Sequence, residues 1–176
     1  FAGTAFLSVF DSEKKGEHVM QNGGIVNYKL PGSSIFRGKK TIEASSGNQF
    51  SMGFVVPKDI TYGGKNGRIS LYVWDDESDG SAVIDELTVG GTQAGIIDED
   101  GPRIEVLFDG RQFVSGDIVH NDPNLELLLS DQHGINITGE VGHKIELMID
   151  DNPNSIDLSR SFEYDDGSFT QGRALR

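Results

Sequence analysis

The 176 residues carry 15 Lys or Arg against 28 Asp or Glu, a formal net charge of −13, and no cysteine. Disulfides, thiolate metal sites and a cysteine nucleophile are thereby excluded within the chain, and a surface so acidic repels nucleic-acid phosphate and anionic lipid. The charge is uneven: residues 1–97 hold nine Lys/Arg against eleven Asp/Glu, and residues 98–176 six against seventeen, a net of about −11 for the second part alone.

No apolar run approaches the roughly 20 residues that span a bilayer. The first residue is Phe1, with no charged segment and apolar stretch behind it of the kind that makes a secretory leader. The chain therefore reads as a piece of a longer polypeptide. Its 23 glycines and lack of long helix-forming runs predict an all-β protein with many turns.

In chain order, residues 4–10 form the first expected strand, apolar on both faces and hence central, followed by a charged loop over 11–17 and by His18, read as an exposed loop residue. The turn Asn22-Gly23-Gly24 leads to a strand over 25–30, stopped by Pro31-Gly32, and then to two short antiparallel pieces over 35–37 and 39–44. After the turn Ser45-Ser46-Gly47-Asn48 the alternation of Phe50, Met52, Phe54 and Val56 predicts a strand that Pro57 ends. A turn over Gly63-Gly64-Lys65-Asn66-Gly67 precedes a strand over 68–74, which places Ile69, Leu71 and Val73 on one face and Ser70, Tyr72 and Trp74 on the other. The acidic loop 75–80 connects it to a strand over 83–89.

Asp98-Glu99-Asp100-Gly101-Pro102 is acidic, cannot continue a strand, and lies near the middle, so it marks a joint. Beyond it, Ile104, Val106 and Phe108 share a face, as do Leu125, Leu127 and Leu129, and again Ile145, Leu147 and Ile149. Strands at this spacing with Asp/Asn/Gly/Pro loops describe an immunoglobulin-like sandwich. The expected architecture is two consecutive β-sandwich domains, 1–97 and 98–176, the second immunoglobulin-like. No sequence repeat relates the two. The second is expected to lack a strand at its C-terminal edge, which predicts weak homo-oligomerisation that strengthens with salt.

Asp75-x-Glu77-x-Asp79-Gly80-x5-Glu86 has the spacing of an EF-hand calcium loop but is flanked by strand-like sequence instead of helices. It reads either as a solvated hairpin loop or as a calcium site of another geometry, with oxygens from Asp75, Glu77 and Asp79. Asp150-Asp151-Asn152 and Asp165-Asp166-Gly167 are explained by turn chemistry. His18, His120, His133 and His143 show no zinc-binding spacing, and Gly-x-Ser-x-Gly is absent. No catalytic residue and no cofactor is expected. Tyr72 and Trp74, two apart on a strand, form either a ligand platform of the carbohydrate-binding kind or part of a packed interface.

Several stretches carry a resemblance. Ile35-Phe36-Arg37-Gly38-Lys39, Phe50-Ser51-Met52-Gly53-Phe54-Val55-Val56-Pro57-Lys58-Asp59-Ile60 and Gly67-Arg68-Ile69-Ser70-Leu71-Tyr72 resemble the region after the peptidase domain in PorU-type sortases of the type IX secretion system. Gly101-Pro102-Arg103-Ile104-Glu105, Phe113-Val114-Ser115-Gly116, Leu129-Ser130-Asp131-Gln132-His133-Gly134-Ile135-Asn136 and Gly142-His143-Lys144-Ile145 are similar to the next segment of the same proteins. The resemblance implies an extracellular location at the outer-membrane surface and a parent among the gingipain-like cysteine peptidases. Their catalytic Cys and His lie in an N-terminal peptidase domain, and no residue of this chain matches them. The implied role is a non-catalytic one: positioning the upstream peptidase domain and contacting cargo or secretion machinery. A carbohydrate-binding or cell-surface adhesion module is the competing reading, and an independent hydrolase ranks behind both.

Overall fold

The computed structural model describes residues 1–176 apart from 31, 48, 62–65, 92, 140–141 and 151. The turn residues expected at Pro31, Asn48, 63–65 and Asp151 lie outside the described residues. The fold is all-β. Its strands are β1 (Gly3–Phe10), β2 (Lys14–Val19), β3 (Ile25–Leu30), β4 (Ser34–Ile42), β5 (Asn66–Trp74), β6 (Asp79–Thr88), β7 (Arg103–Phe108), β8 (Arg111–Gln112), β9 (Leu125–Ser130), β10 (Glu146–Leu147), β11 (Ile156–Asp157), β12 (Phe162–Tyr164) and β13 (Gln171–Leu175).

Nine of them form one sheet in the order β6-β5-β1-β4-β12-β13-β9-β7-β8. The strands before residue 97 occupy one side of this order and those after it the other. They meet at β4 and β12, whose parallel pairing is a single bridge between Gly38 and Tyr164. All other pairings in the sheet are antiparallel.

Because side chains alternate across a strand, the registers fix two faces. Ala5 and Val9 of β1, Phe36 of β4, Phe162 and Tyr164 of β12, Ala174 of β13 and Leu125, Leu127 and Leu129 of β9 point to the same side and are buried. Residues without a ladder partner in this sheet cover them: Met52, Phe54, Ile60, Ile135, Ile137, Leu158 and the β10–β11 pair belong to the same apolar cluster. Phe36 stacks on Tyr164 with ring centroids 4.9 Å apart and also meets Phe54 at 5.7 Å. Full burial of each such side chain contributes about 1.5–3 kcal/mol. Gly172 of β13 is needed at its position, since a Cβ there would lie 2.5 Å from the Glu163 carbonyl oxygen and 2.5 Å from the Phe162 ring.

Polar contacts reinforce the join between the two strand sets. Arg37 donates to the Ser159 carbonyl, the Thr41 N–H to Asp166 Oδ1 at 2.6 Å, and the Gly167 N–H to the Lys39 carbonyl at 2.8 Å. Burial lowers the pKa of the Arg37 guanidinium, partly offset by Glu163. Asp59 also links residues far apart in the chain, accepting from Asn136 Nδ2 at 3.0 Å and from Thr138 Oγ1 at 2.9 Å. Asp59→Ala leaves both donors without that acceptor and is expected to cost about 1–2 kcal/mol; a urea midpoint unchanged from the native chain would refute the bridge.

Three expectations are corrected. Residues 14–19, expected within or beside a loop, form β2, which pairs along its length with β3 in a hairpin separate from the large sheet. The two pieces expected over 35–44 are one strand, β4. Residues 50–56 keep the alternation, with Met52 and Phe54 half-buried, but make no ladder, because they lie across the core face instead of joining a sheet. The last strand, β13, pairs with both β12 and β9, and among the described residues the large sheet ends at β6 and β8.

Candidate functional site

The two constellations singled out in the sequence meet at one end of β5 and β6. Strand alternation puts Tyr72 and Trp74 on the face opposite the core, where the register sets Tyr72 against Phe6 and Trp74 against Thr4 of β1. Their rings stack with centroids 5.4 Å apart and planes inclined by 27°. Tyr72 is 44 % exposed and Trp74 half-buried, so the pair is open to solvent and not interior packing. The Tyr72 hydroxyl donates to Asp79 Oδ2 at 3.0 Å, and this bond raises the phenol pKa.

Asp75 organises the tight loop that joins β5 to β6. Its Oδ1 accepts from the Glu77 N–H at 2.9 Å, the Ser78 N–H at 2.7 Å and the Ser78 hydroxyl at 3.0 Å, while its own N–H bonds the Ser78 carbonyl. The backbone bond from Glu77, followed by that from Ser78, lowers the carboxyl pKa. One oxygen of Asp75 thus serves the turn and Asp79 serves Tyr72. The structure does not bring the carboxylates of Asp75, Glu77 and Asp79 within 4.8 Å of one another as a group; among the described residues Asp98, Asp131 and His133 alone do so.

The histidines are scattered. His18 sits on β2 opposite Val26, and His143 Nε2 lies 3.8 Å from Asp59 Oδ2. The sequence does not reveal His133 as a member of a cluster, because its neighbour Asp98 belongs to the joint, remote along the chain. The only signal for it is the Asp131-x-His133 spacing in a glycine turn.

No family model matches the chain, and no curated protein does. Among solved structures it is similar to dimeric latent PorU from Porphyromonas gingivalis, with 30 % identity and a TM-score of 0.52, over 100 % of this chain and 17 % of that one. The likeness relates the chain to a region of PorU. It spans less than a fifth of PorU's length.

Proposed function

We propose that this chain is the non-catalytic β-sandwich region of a secreted gingipain-like cysteine peptidase of the type IX secretion system, at the outer-membrane surface. Its parts, 1–97 and an immunoglobulin-like 98–176, position an upstream peptidase domain and contact cargo or secretion machinery. The observation that carries this reading is similarity along the whole chain to a minor fraction of PorU. The absence of cysteine supports it, since the nucleophile of such a peptidase has to come from elsewhere. Removal of residues 1–176 from the parent polypeptide is expected to reduce processing of cargo signals while the peptidase domain still folds. Processing at the native rate would overturn the role. The isolated chain is expected to cleave no cargo-signal peptide, and cleavage by a protease-free preparation would count against the reading equally.

A second reading, carbohydrate or surface adhesion, is favoured by the exposure and stacking of Tyr72 and Trp74 on the outer face. An aromatic face takes the apolar side of a sugar ring, and Asp79 offers a polar group beside it. Trp74→Ala is expected to abolish any glycan-array signal, and glycan addition to the native chain to change the fluorescence of Trp74, the single tryptophan. A signal that survives Trp74→Ala and Tyr72→Ala together would rule the platform out. Calcium at Asp75, Glu77 and Asp79, with weak self-association through an open strand edge, completes the proposal; both are read by calorimetry and light scattering.

A further inference from the structure

The turn after β9 starts at Asp131, whose side chain is 8 % exposed. Its Oδ1 accepts the His133 N–H at 2.7 Å and its carbonyl accepts the Gly134 N–H at 3.2 Å. Gly134 takes a φ of 89°, a left-handed conformation that favours glycine and keeps the turn tight. His133 Nδ1 is thereby held 3.9 Å from Asp131 Oδ1 and 3.3 Å from Asp98 Oδ1, the latter on the connection between β6 and β7. That nitrogen is shut off from solvent and makes no hydrogen bond, although the rest of the ring is part-exposed.

A nitrogen enclosed between two carboxylates with no hydrogen bond is costly as it stands. A direct N–H···O bond would measure about 2.7–3.2 Å and be aligned. The observed separations instead suit ligand atoms arranged around one ion at bonds of about 2.0–2.2 Å, which sets neighbouring ligands roughly 3–4 Å apart. The donor set decides the ion. Calcium and magnesium take oxygen, whereas an imidazole with two carboxylates suits a first-row divalent metal.

We propose that Asp98, Asp131 and His133 hold a divalent first-row metal ion, Zn2+ foremost, which ties the connection between β6 and β7 to the end of β9. The three ligands leave a fourth position to water. The ion secures the acidic joint between the two strand sets, and its charge offsets part of the repulsion between Asp98 and Asp131.

Calorimetry on the chelator-treated 176-residue chain is expected to show one equivalent of Zn2+ bound, with a raised melting temperature, and the same Zn2+ heat when Ca2+ is present in excess. Asp98→Asn and His133→Gln should each weaken Zn2+ binding by at least about 10–100-fold, the range typical of losing even an outer-shell partner. His18→Gln and His120→Gln should leave it unchanged. Absence of Zn2+ heat, or native affinity in Asp98→Asn, overturns the site. Asp98 lies on an exposed connection, so its substitution tests the site even if His133→Gln fails to fold.

Discussion

Phe36→Ala is expected to lower the unfolding free energy by about 3–5 kcal/mol, the cost of a large aromatic deletion from a packed core. Phe36 is 1 % exposed, stacks on Tyr164 of β12 and touches Phe54 of the covering segment. It therefore connects three parts of the chain that are distant in sequence, at the point where the ladder between the strand sets is a single bridge. Little can collapse into the space from the side of Tyr164, because that ring is held by β12. Against the roughly 5–15 kcal/mol that domains of ordinary size have in all, this is a large share of the stability. Urea titration followed by Trp74 fluorescence and by backbone circular dichroism checks it. A loss under about 1 kcal/mol would mean that the stack is not a core contact.

The second large effect is alkaline. Burial, foremost, pushes the Tyr164 phenol up to about 12, against a lowering contribution from its bond to Ile135. The hydroxyl donates to the Ile135 carbonyl and accepts the Ile135 N–H, both at 2.8 Å. An unfolded tyrosine ionises near 10, so between about pH 10 and 12 the folded chain keeps a proton that the unfolded chain releases. Stability from this group is complete below about pH 10 and declines as the pH rises to about 12, by roughly 2–3 kcal/mol in total. Tyr164→Phe removes the titration along with the two bonds. The variant should be weaker at neutral pH yet lose less over the alkaline interval. Equal alkaline slopes in the two proteins would exclude Tyr164 as the source.

The strands that are legible in the sequence are those whose burial is one-sided and whose partners enforce it. Leu125, Leu127 and Leu129 alternate in sequence and are buried in β9. The same signal misleads at residues 50–56, because alternation reports which side of an extended segment is covered and says nothing of whether its backbone has a ladder partner. Lys14-Lys15-Gly16-Glu17-His18 carries no apolar pattern, yet its pairing with β3 makes it a strand exposed on both faces. Nothing local announces that β4 lies beside β12. The aromatic pair is legible for a geometric reason, since residues two apart on a strand share a face. Asp98 and His133 are not, because the turn at Gly134 and the course of the joint bring them together only in three dimensions.

The strand directions in the sheet also have a mechanical consequence. β1 runs opposite to β4, β4 runs with β12, and β12 runs opposite to β13. β1 and β13 therefore point the same way, and Gly3 and Leu175 lie at opposite ends along the strand axis. Tension between those two residues loads the intervening ladders in shear, so hydrogen bonds are strained together instead of peeling apart one by one. The weakest rung under such a pull is the lone Gly38–Tyr164 bridge, with the Phe36 stack as its backing. A stretched chain should yield there first and separate into two still-folded strand sets before either unravels.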